Sequence, residues 1–269
     1  QYAGGKLQRP HWAGVAGPCL ALVTREAVKV GGVGLALVML SEYGRAAATF
    51  GLPTDILPLP LEETVSGLQA YALAQIEGAD LLHKRRFADG GVLPFRSDYY
   101  TGEALLGLIV TGCTEPAMIA LTEGLMTRGY GIPEQSHWMA YAACEAAARG
   151  LADEALLRRY LSRLMSEIVD NPGYRDRRAS TPIACRTEAL TRYLCLADAR
   201  PELCDAGVLA SCHRTALENL VIQLEWYDRG QFWKGDEERK VQIDYIQHNA
   251  TAFLNLWQHE VARMPHRGN

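Results

Sequence analysis

Apolar residues recur every three or four positions along most of this chain, which is the spacing that places them on one face of an α-helix. No segment alternates between apolar and polar residues for long enough to predict a strand. The runs with the clearest helical spacing are Leu35-Val38-Met39, Leu61-Val65-Leu68-Leu73, Leu105-Leu108-Ile109 and Met118-Ile119-Leu121-Leu125. The pattern therefore predicts an all-α fold.

The predicted helices are of two kinds, which alternate along the chain. One kind interleaves Ala and Gly with Leu and aromatic residues, as expected of helices packed on several sides, and occupies 101–111, 136–148, 182–197 and 243–258. The other kind carries Glu and Arg on one face and occupies 61–78, 115–128, 152–169 and 213–224. We predict that the first kind forms an inner ring and the second an outer ring.

Turn-forming residues mark where the predicted helices begin and end. Ser136 stands where a helix N-terminus is expected, and Gly44 and Gly150 stand where helices are expected to end. The two longest loops, 79–100 and 225–242, are rich in Gly and Asp, which favour tight turns. Small β-hairpins are therefore expected in both loops.

The alternating helices, the turn Phe87-Ala88-Asp89-Gly90-Gly91 and the polar clusters at the starts of successive inner helices resemble the α/α-toroid (six-hairpin) superfamily. That superfamily includes N-acylglucosamine 2-epimerase-like isomerases, toroidal glycoside hydrolases, polysaccharide lyases, protein prenyltransferases and lanthionine cyclases. The resemblance covers most of the chain, with about four and a half helical hairpins recognisable. It implies a single, incomplete toroid domain over residues 1–269 whose central cavity holds the functional site.

The bulk composition limits the classes of partner. The chain has 269 residues, of which 48% are hydrophobic, enough for one large core. Its net charge of −4 provides no overall positive field for nucleic acid or an anionic membrane. The longest apolar stretch, 33–40, is far shorter than the roughly 20 residues that cross a bilayer. We therefore expect no nucleic-acid or membrane partner. Because the chain begins at Gln1 rather than Met, we expect a processed product or a segment of a longer polypeptide.

The seven cysteines show no Cys-x-x-Cys spacing, and several lie in apolar helical runs, so we expect reduced thiols in a cytoplasmic protein. Lanthionine cyclases hold zinc with two Cys and one His, and by that resemblance Cys185, Cys212 and His213 are the residues to consider. However, Arg214 follows His213 where those enzymes have Gly, and their Trp-Cys motif is absent. We therefore predict no metal site and no other cofactor.

Polar residues cluster just before or within the first turns of the predicted inner helices, and a toroid brings those helix ends together around one cavity. Cationic residues are concentrated there although the chain as a whole is acidic, which predicts an anionic small-molecule or oligosaccharide ligand. Arg186 and Glu188 are two residues apart and cannot share a helix face, and Arg186 is expected to face the cavity. The predicted ligand-binding residues are Arg96, Tyr99, Glu103, Trp138, Arg186, Tyr245 and Asn249.

His137 and His248 have the most specific chemistry, because imidazole acts as acid or base near neutral pH. Both lie near the starts of predicted inner helices, where the helix dipole is expected to keep the rings neutral. Asp244 precedes His248 by four residues, so its carboxylate is placed to orient the ring. Asp98 and Asp244 are the candidate catalytic carboxylates. The alternative is that each histidine only caps a helix or satisfies a buried carbonyl.

The leading hypothesis is a carbohydrate-active enzyme that transfers protons by acid–base catalysis on an anionic sugar or polyhydroxylated acid, without a metal. In an epimerase- or isomerase-like reaction, His137 and His248 remove and return the proton, so that one ring acts as base and the ring held by Asp244 donates a proton to the opposite face of the substrate. In a glycosidase-like reaction, Asp98 or Asp244 takes that role. The alternative is a non-catalytic toroid domain that binds an acidic polymer, peptide or partner within a larger biosynthetic protein.

Overall fold

The computed structural model describes residues 6–12, 18–54 and 57–264, and these residues are mostly α-helical with small β-hairpins. The chain divides into two compact units, Gln1–Arg128 and Gly129–Asn269, which we describe separately. The predicted fold class is confirmed at that level. The arrangement of the helices in the inner and outer rings of one toroid domain stays a prediction.

The first unit contains a small antiparallel sheet and a separate hairpin. Its strands are β1 (Lys6–Gln8), β2 (Ala21–Thr24), β3 (Ala27–Lys29), β4 (Ile76–Glu77), β5 (Asp80–Leu81) and β6 (Lys84–Arg86). The sheet has the order β1-β2-β3-β6, and β4 pairs with β5. The sequence pattern does not predict β1 to β3, because three or four residues are too few to show a period of two. The loop 79–100 contains β5, which completes a hairpin with β4, and an isolated antiparallel bridge between Arg85 and Val92, so the expected hairpin structure is present only in this short form.

The helices of the first unit are α1 (Val30–Phe50), α2 (Leu61–Leu73), α3 (Tyr100–Val110) and α4 (Pro116–Thr127). Two of them, α1 and α3, meet backbone to backbone. A Cβ atom added at Gly34 would overlap the backbone of Glu103, and one added at Gly107 would overlap the backbone of Gly34. Glycine is therefore required at both positions for the two helices to approach this closely.

The expectation that a helix ends at Gly44 is wrong. The helix α1 continues to Phe50 and ends at Gly51, which has the left-handed φ of 66° that favours glycine. Gly44 instead faces α2, because a Cβ atom added there would lie 3.3 Å from Leu61 Cδ2. Gly44 therefore lies inside α1, on the side that packs near α2.

The second unit is built around one central helix. Its helices are α5 (His137–Arg149), α6 (Glu154–Asp170), α7 (Ser180–Ala199), α8 (Ala206–Gln223) and α9 (Ile243–Arg263). The helix α7 contacts each of the other four. Many of its residues are fully buried on more than one side, as its small residues predict. This central position makes α7 the element that brings side chains of α5 and α9 together.

Side-chain caps explain where two of these helices begin. Ser136 accepts a hydrogen bond from the Met139 backbone N–H at 3.3 Å and starts α5 at the predicted place. The helix α8 begins seven residues before the predicted start at 213, because Asp205 accepts hydrogen bonds from the N–H groups of Gly207 and Val208 at 2.9 and 3.0 Å. A local cap thus extends the helix beyond its clearest apolar run.

The loop 225–242 forms the expected hairpin structure, with β7 (Tyr227–Asp228), β8 (Gln231–Gly235) and β9 (Glu238–Val241).

All seven cysteines are free thiols, and six of them are buried. Within the described part of the chain, no helix has both the length and the apolar character needed to cross a membrane.

Candidate active site

Four buried side chains of the second unit place one nitrogen, sulfur or oxygen atom each within 4.8 Å of all the others. They are His137, Cys185, Glu188 and His248, and we call them the buried cluster. Each of these residues exposes less than a tenth of its surface. No other group of three or more His, Cys, Asp or Glu residues among the described positions has this compactness. The cluster is therefore the strongest candidate for chemistry in this unit.

Three helices hold the buried cluster. His137 is the first residue of α5, directly after the capping Ser136. Cys185 and Glu188 are three residues apart on α7 and so lie on one face of that helix. His248 lies in the second turn of α9. The helix α7 packs against both α5 and α9. Side chains from α5 and α9 therefore meet at the buried face of α7.

The ring of His248 lies between two carboxylates. Its Nδ1 is 2.8 Å from Glu188 Oε2, and its Nε2 is 3.4 Å from Asp244 Oδ1. The predicted contact between Asp244 and His248 is therefore present. Glu188 is buried, whereas the Asp244 side chain is 54% exposed, so the ring lies between the interior and solvent.

For His248 the neighbouring carboxylates, rather than the helix dipole, dominate the electrostatics. Burial by itself lowers the pKa of His248, but hydrogen bonds with Asp244, Cys185 and Glu188 outweigh burial and raise that pKa to about 12. A carboxylate only accepts hydrogen bonds, so a ring with a carboxylate at each nitrogen is stabilised with both nitrogens protonated. These contacts favour the protonated form of His248.

His137 has the opposite character. Burial, followed by the positive charges of His248 and Arg186, holds the pKa of His137 well below its usual value. Its ring contacts that of His248 edge to face, with the centroids 5.3 Å apart and the planes at 87°. The pair thus combines a neutral ring with a protonated ring, which is how environment separates a base from an acid.

Glu188 and Cys185 are the two members of the cluster that the sequence analysis did not select. Glu188 also accepts hydrogen bonds from Tyr141 and Thr251, and burial raises the pKa of its carboxyl. Burial likewise raises the pKa of the Cys185 thiol, although a hydrogen bond to His248 works against it. The available signal was the spacing of three between a thiol and a carboxylate on the predicted inner helix 182–197.

Arg186 and Glu188 are two residues apart on α7, and it is Glu188, rather than Arg186, that contacts His248. The Arg186 guanidinium donates hydrogen bonds to the Glu134 carbonyl at 2.9 Å and to Gln135 Oε1 at 3.3 Å. It also lies over the ring of Tyr174, 5.9 Å from its centroid. Arg186 therefore ties α7 to the segment before α5, close enough to His137 for its charge to lower the pKa of that ring.

The remaining predicted residues of the second unit lie beside the cluster. Trp138 is half-buried, and its ring centroid is 4.9 Å from that of His137 and 6.4 Å from that of His248. Asn249 is fully buried and donates through Nδ2 to the Tyr245 carbonyl at 2.7 Å. Its Oδ1 has no hydrogen-bond partner among the described residues. Tyr245 is half-buried.

The predicted site residues of the first unit differ in how far they are exposed to solvent. Asp98 and Tyr99 are exposed, and exposed Arg96 forms an ion pair with Asp80 at 2.6 Å. Glu103 is buried at the contact of α3 with α1, where Gly31 leaves space for its carboxylate. That these residues share one cavity with those of the second unit stays a prediction.

No protein family, curated protein or solved structure matches this chain. The function is therefore argued from the geometry of the buried cluster and its neighbours.

Proposed function

We propose that this protein is an enzyme that transfers protons by acid–base catalysis on an anionic sugar or a related polyhydroxylated acid. The observation that carries the proposal is the ring contact between His137 and His248, two histidines whose pKa values are shifted in opposite directions. A site with a neutral base beside a charged acid needs no rearrangement before it moves a proton.

The geometry favours an isomerase-like reaction over a two-sided epimerisation. Because the two rings touch, a substrate carbon cannot lie between them, and both histidines must act on the same face of a substrate. His137 would remove the proton from a carbon beside a carbonyl, while His248 would donate its proton to the carbonyl oxygen, which yields a neutral enediol. Reversal at the neighbouring carbon would transfer the carbonyl group and return both protons.

Two neighbouring features support the sugar-like, anionic ligand. Trp138 contacts both histidines and is half-buried, so its exposed part can pack against the apolar face of a sugar ring. Arg186 supplies a positive charge near His137 that would favour an anionic group. The half-exposed carboxylate of Asp244 marks the side of the cluster that is open to solvent and therefore to a ligand.

The alternative function, a cationic surface that binds an acidic polymer, has less support. Arg175 forms an ion pair with Glu218 at 3.0 Å. Arg178 forms ion pairs with Glu225 at 2.5 Å and Asp236 at 2.9 Å. Arginines that are already neutralised by carboxylates contribute little additional attraction for an anionic partner.

As part of the same proposal we place the enzyme in the cytoplasm, since seven free thiols are typical of a reducing compartment.

Deuterium incorporation in D2O tests the proposal across whole classes of candidate substrate. Panels of hexose phosphates and hexuronic acids are incubated with the protein, and carbon-bound deuterium is measured by mass spectrometry. We expect one class to incorporate deuterium, and we expect His137→Gln or His248→Gln to abolish the exchange. His259→Gln is the matched control, because His259 is also a buried histidine of α9 and pairs with Asp198 at 2.8 Å outside the cluster. The proposal is overturned if both His137→Gln and His248→Gln still catalyse the exchange. It is also overturned if the wild type exchanges deuterium into none of these compounds.

A further inference from the structure

We infer that the buried cluster is a binding site for a divalent transition-metal ion of the zinc class, with His137, Cys185, Glu188 and His248 as its four ligands. This inference goes beyond the proposed function, because metal binding at the cluster does not require that the protein turn over any substrate.

The spacing of the four donor atoms suits a single ion. Ligand atoms at zinc–nitrogen distances of about 2.1 Å and a zinc–sulfur distance of about 2.3 Å lie about 3.5 Å apart in a tetrahedral site. The four donors of the buried cluster all lie within 4.8 Å of one another. Side-chain movements of about 1 Å, which rotation about χ angles readily supplies, would bring them onto one ion.

The chemistry of the donors selects the class of metal. Two imidazoles, one thiol and one carboxyl form the mixed nitrogen, sulfur and oxygen set that zinc and cobalt(II) accept in tetrahedral sites. Calcium and magnesium prefer oxygen ligands only, so Cys185 and the two histidines would not favour them. With Cys185 as thiolate and Glu188 as carboxylate, a divalent ion would be neutralised, which is the condition for burying it.

The surroundings of His248 are those of a metal-ligating histidine. Its Nδ1 faces Glu188 within the cluster, while its Nε2 faces Asp244 at 3.4 Å on the outer side. A carboxylate on the far nitrogen commonly fixes the orientation of a ligating imidazole and strengthens it as a donor. Because Asp244 is half-exposed, an ion can reach the cluster by passing one solvent-facing carboxylate.

Four protein ligands leave no coordination position for water, so the inferred site is closed. Binding would displace the thiol proton of Cys185 and the proton held between His248 and Glu188. The ion would also bind the ring nitrogen of His137 whose lone pair the proposed proton removal requires. Metal binding and that reaction therefore exclude each other, and this one consequence rests on the proposed function.

Cobalt(II) titration of the reduced, chelator-treated protein tests the inference. We expect one equivalent of cobalt to produce the intense visible absorption of a tetrahedral site together with a thiolate-to-cobalt charge-transfer band, and zinc to displace it. Cys185→Ser should remove the charge-transfer band and weaken zinc binding about tenfold or more. Cys195→Ser is the matched control, because Cys195 is a half-buried thiol on α7 outside the cluster, and it should bind as the wild type does.

Glu188→Gln is the second variant, for the case in which Cys185→Ser does not fold, and it should weaken zinc binding similarly. The inference is overturned if the wild type shows no tetrahedral cobalt spectrum, or if a folded cluster variant binds as tightly as Cys195→Ser. Metal binding without deuterium exchange would support this inference and remove the proposed function. If deuterium exchange occurs and added zinc does not inhibit it, the metal-site inference is overturned and the proposed function stands.

Discussion

The helix contact between α1 and α3 in the first unit differs in kind from the contacts of α7 with α5 and α9 in the second. At Gly34 and Gly107 the first pair of helices meets through backbone atoms. The contacts of α7 with α5 and α9 instead include the polar side chains of the buried cluster. The backbone contact at Gly34 and Gly107 excludes side chains at those two positions and leaves the carboxylate of Glu103 beside Gly31, whereas the buried face of α7 collects four groups that can bind or transfer protons.

The two units also differ in the hydrogen-bond partners of their buried histidines. His83 in the first unit accepts a hydrogen bond at Nδ1 from the Ser97 N–H at 3.0 Å, and its Nε2 is 3.0 Å from Thr101 Oγ1. Because Nδ1 is an acceptor, the proton is on Nε2 and the ring is neutral. His248 has carboxylates at both nitrogens, which favour its charged form. The partners of the ring, rather than its burial, decide between a structural histidine and an acid.

Removal of one partner from each histidine should give the largest contrast. Glu188→Gln takes a carboxylate from His248, so we expect a lower pKa for that ring and a turnover reduced by about a hundredfold or more. Thr101→Val takes the neutral partner from His83, and we expect unchanged turnover with a stability loss of about 1 to 3 kcal/mol. Deuterium-exchange rates and urea denaturation measure the two effects. A loss of turnover in Thr101→Val that matches the loss in Glu188→Gln would remove the distinction between the two histidines.

Substitution of alanine for glycine tests the backbone contact of α1 with α3. In Gly34→Ala the new Cβ would overlap the backbone of Glu103, and we expect a loss of stability of about 3 kcal/mol. Gly32→Ala is the matched control on the same helix, since no atom lies within 4 Å of its added Cβ. It should raise stability by about 0.5 to 1 kcal/mol, because alanine is the better helix former. Similar unfolding midpoints for the two variants would contradict the contact.

The pH dependence of stability should report the neutral state of His83. Burial, followed by the charge of Arg96, lowers the pKa of His83, while Asp80 and Asp98 act against this shift. A lowered folded-state pKa contributes stability that is present above the unfolded value of about 6.5 and is lost as pH falls through the folded value. His83→Asn should therefore make the decline in stability between neutral and mildly acidic pH less steep, by less than about 1.4 kcal/mol per pH unit. Urea denaturation at several pH values measures this, and parallel profiles for wild type and variant would count against a neutral His83.

The smallest effect is expected at Arg96. Its ion pair with Asp80 is exposed, with 70% of the arginine side chain accessible, so Arg96→Ala should change stability by less than about 1 kcal/mol. The same substitution removes a positive charge that lowers the pKa of His83, so that pKa should rise. NMR titration of the His83 ring measures the shift. Arg45→Ala, at another exposed ion pair of the first unit, should leave the His83 titration unchanged.

The sequence alone determined the features that depend on neighbouring residues along the chain. The three- and four-residue apolar spacing identified the helices, since that spacing creates one buried face in any context. Ser136 predicted the start of α5 because a cap acts on backbone groups within one turn. The contact between Asp244 and His248 followed from their four-residue spacing. Each of these interactions closes within a single helix.

The choice of which helix faces meet depends on how whole helices pack against one another, which lies outside any local sequence pattern. Glu188 rather than Arg186 contacts His248, because that choice depends on where α9 packs against α7. The charge of His248 was outside the reach of the sequence for the same reason: two of the three groups that raise its pKa, Cys185 and Glu188, come from another helix. Gly44 resembles a helix end in the sequence because glycine permits termination, but α1 continues past it to Phe50 and ends at Gly51.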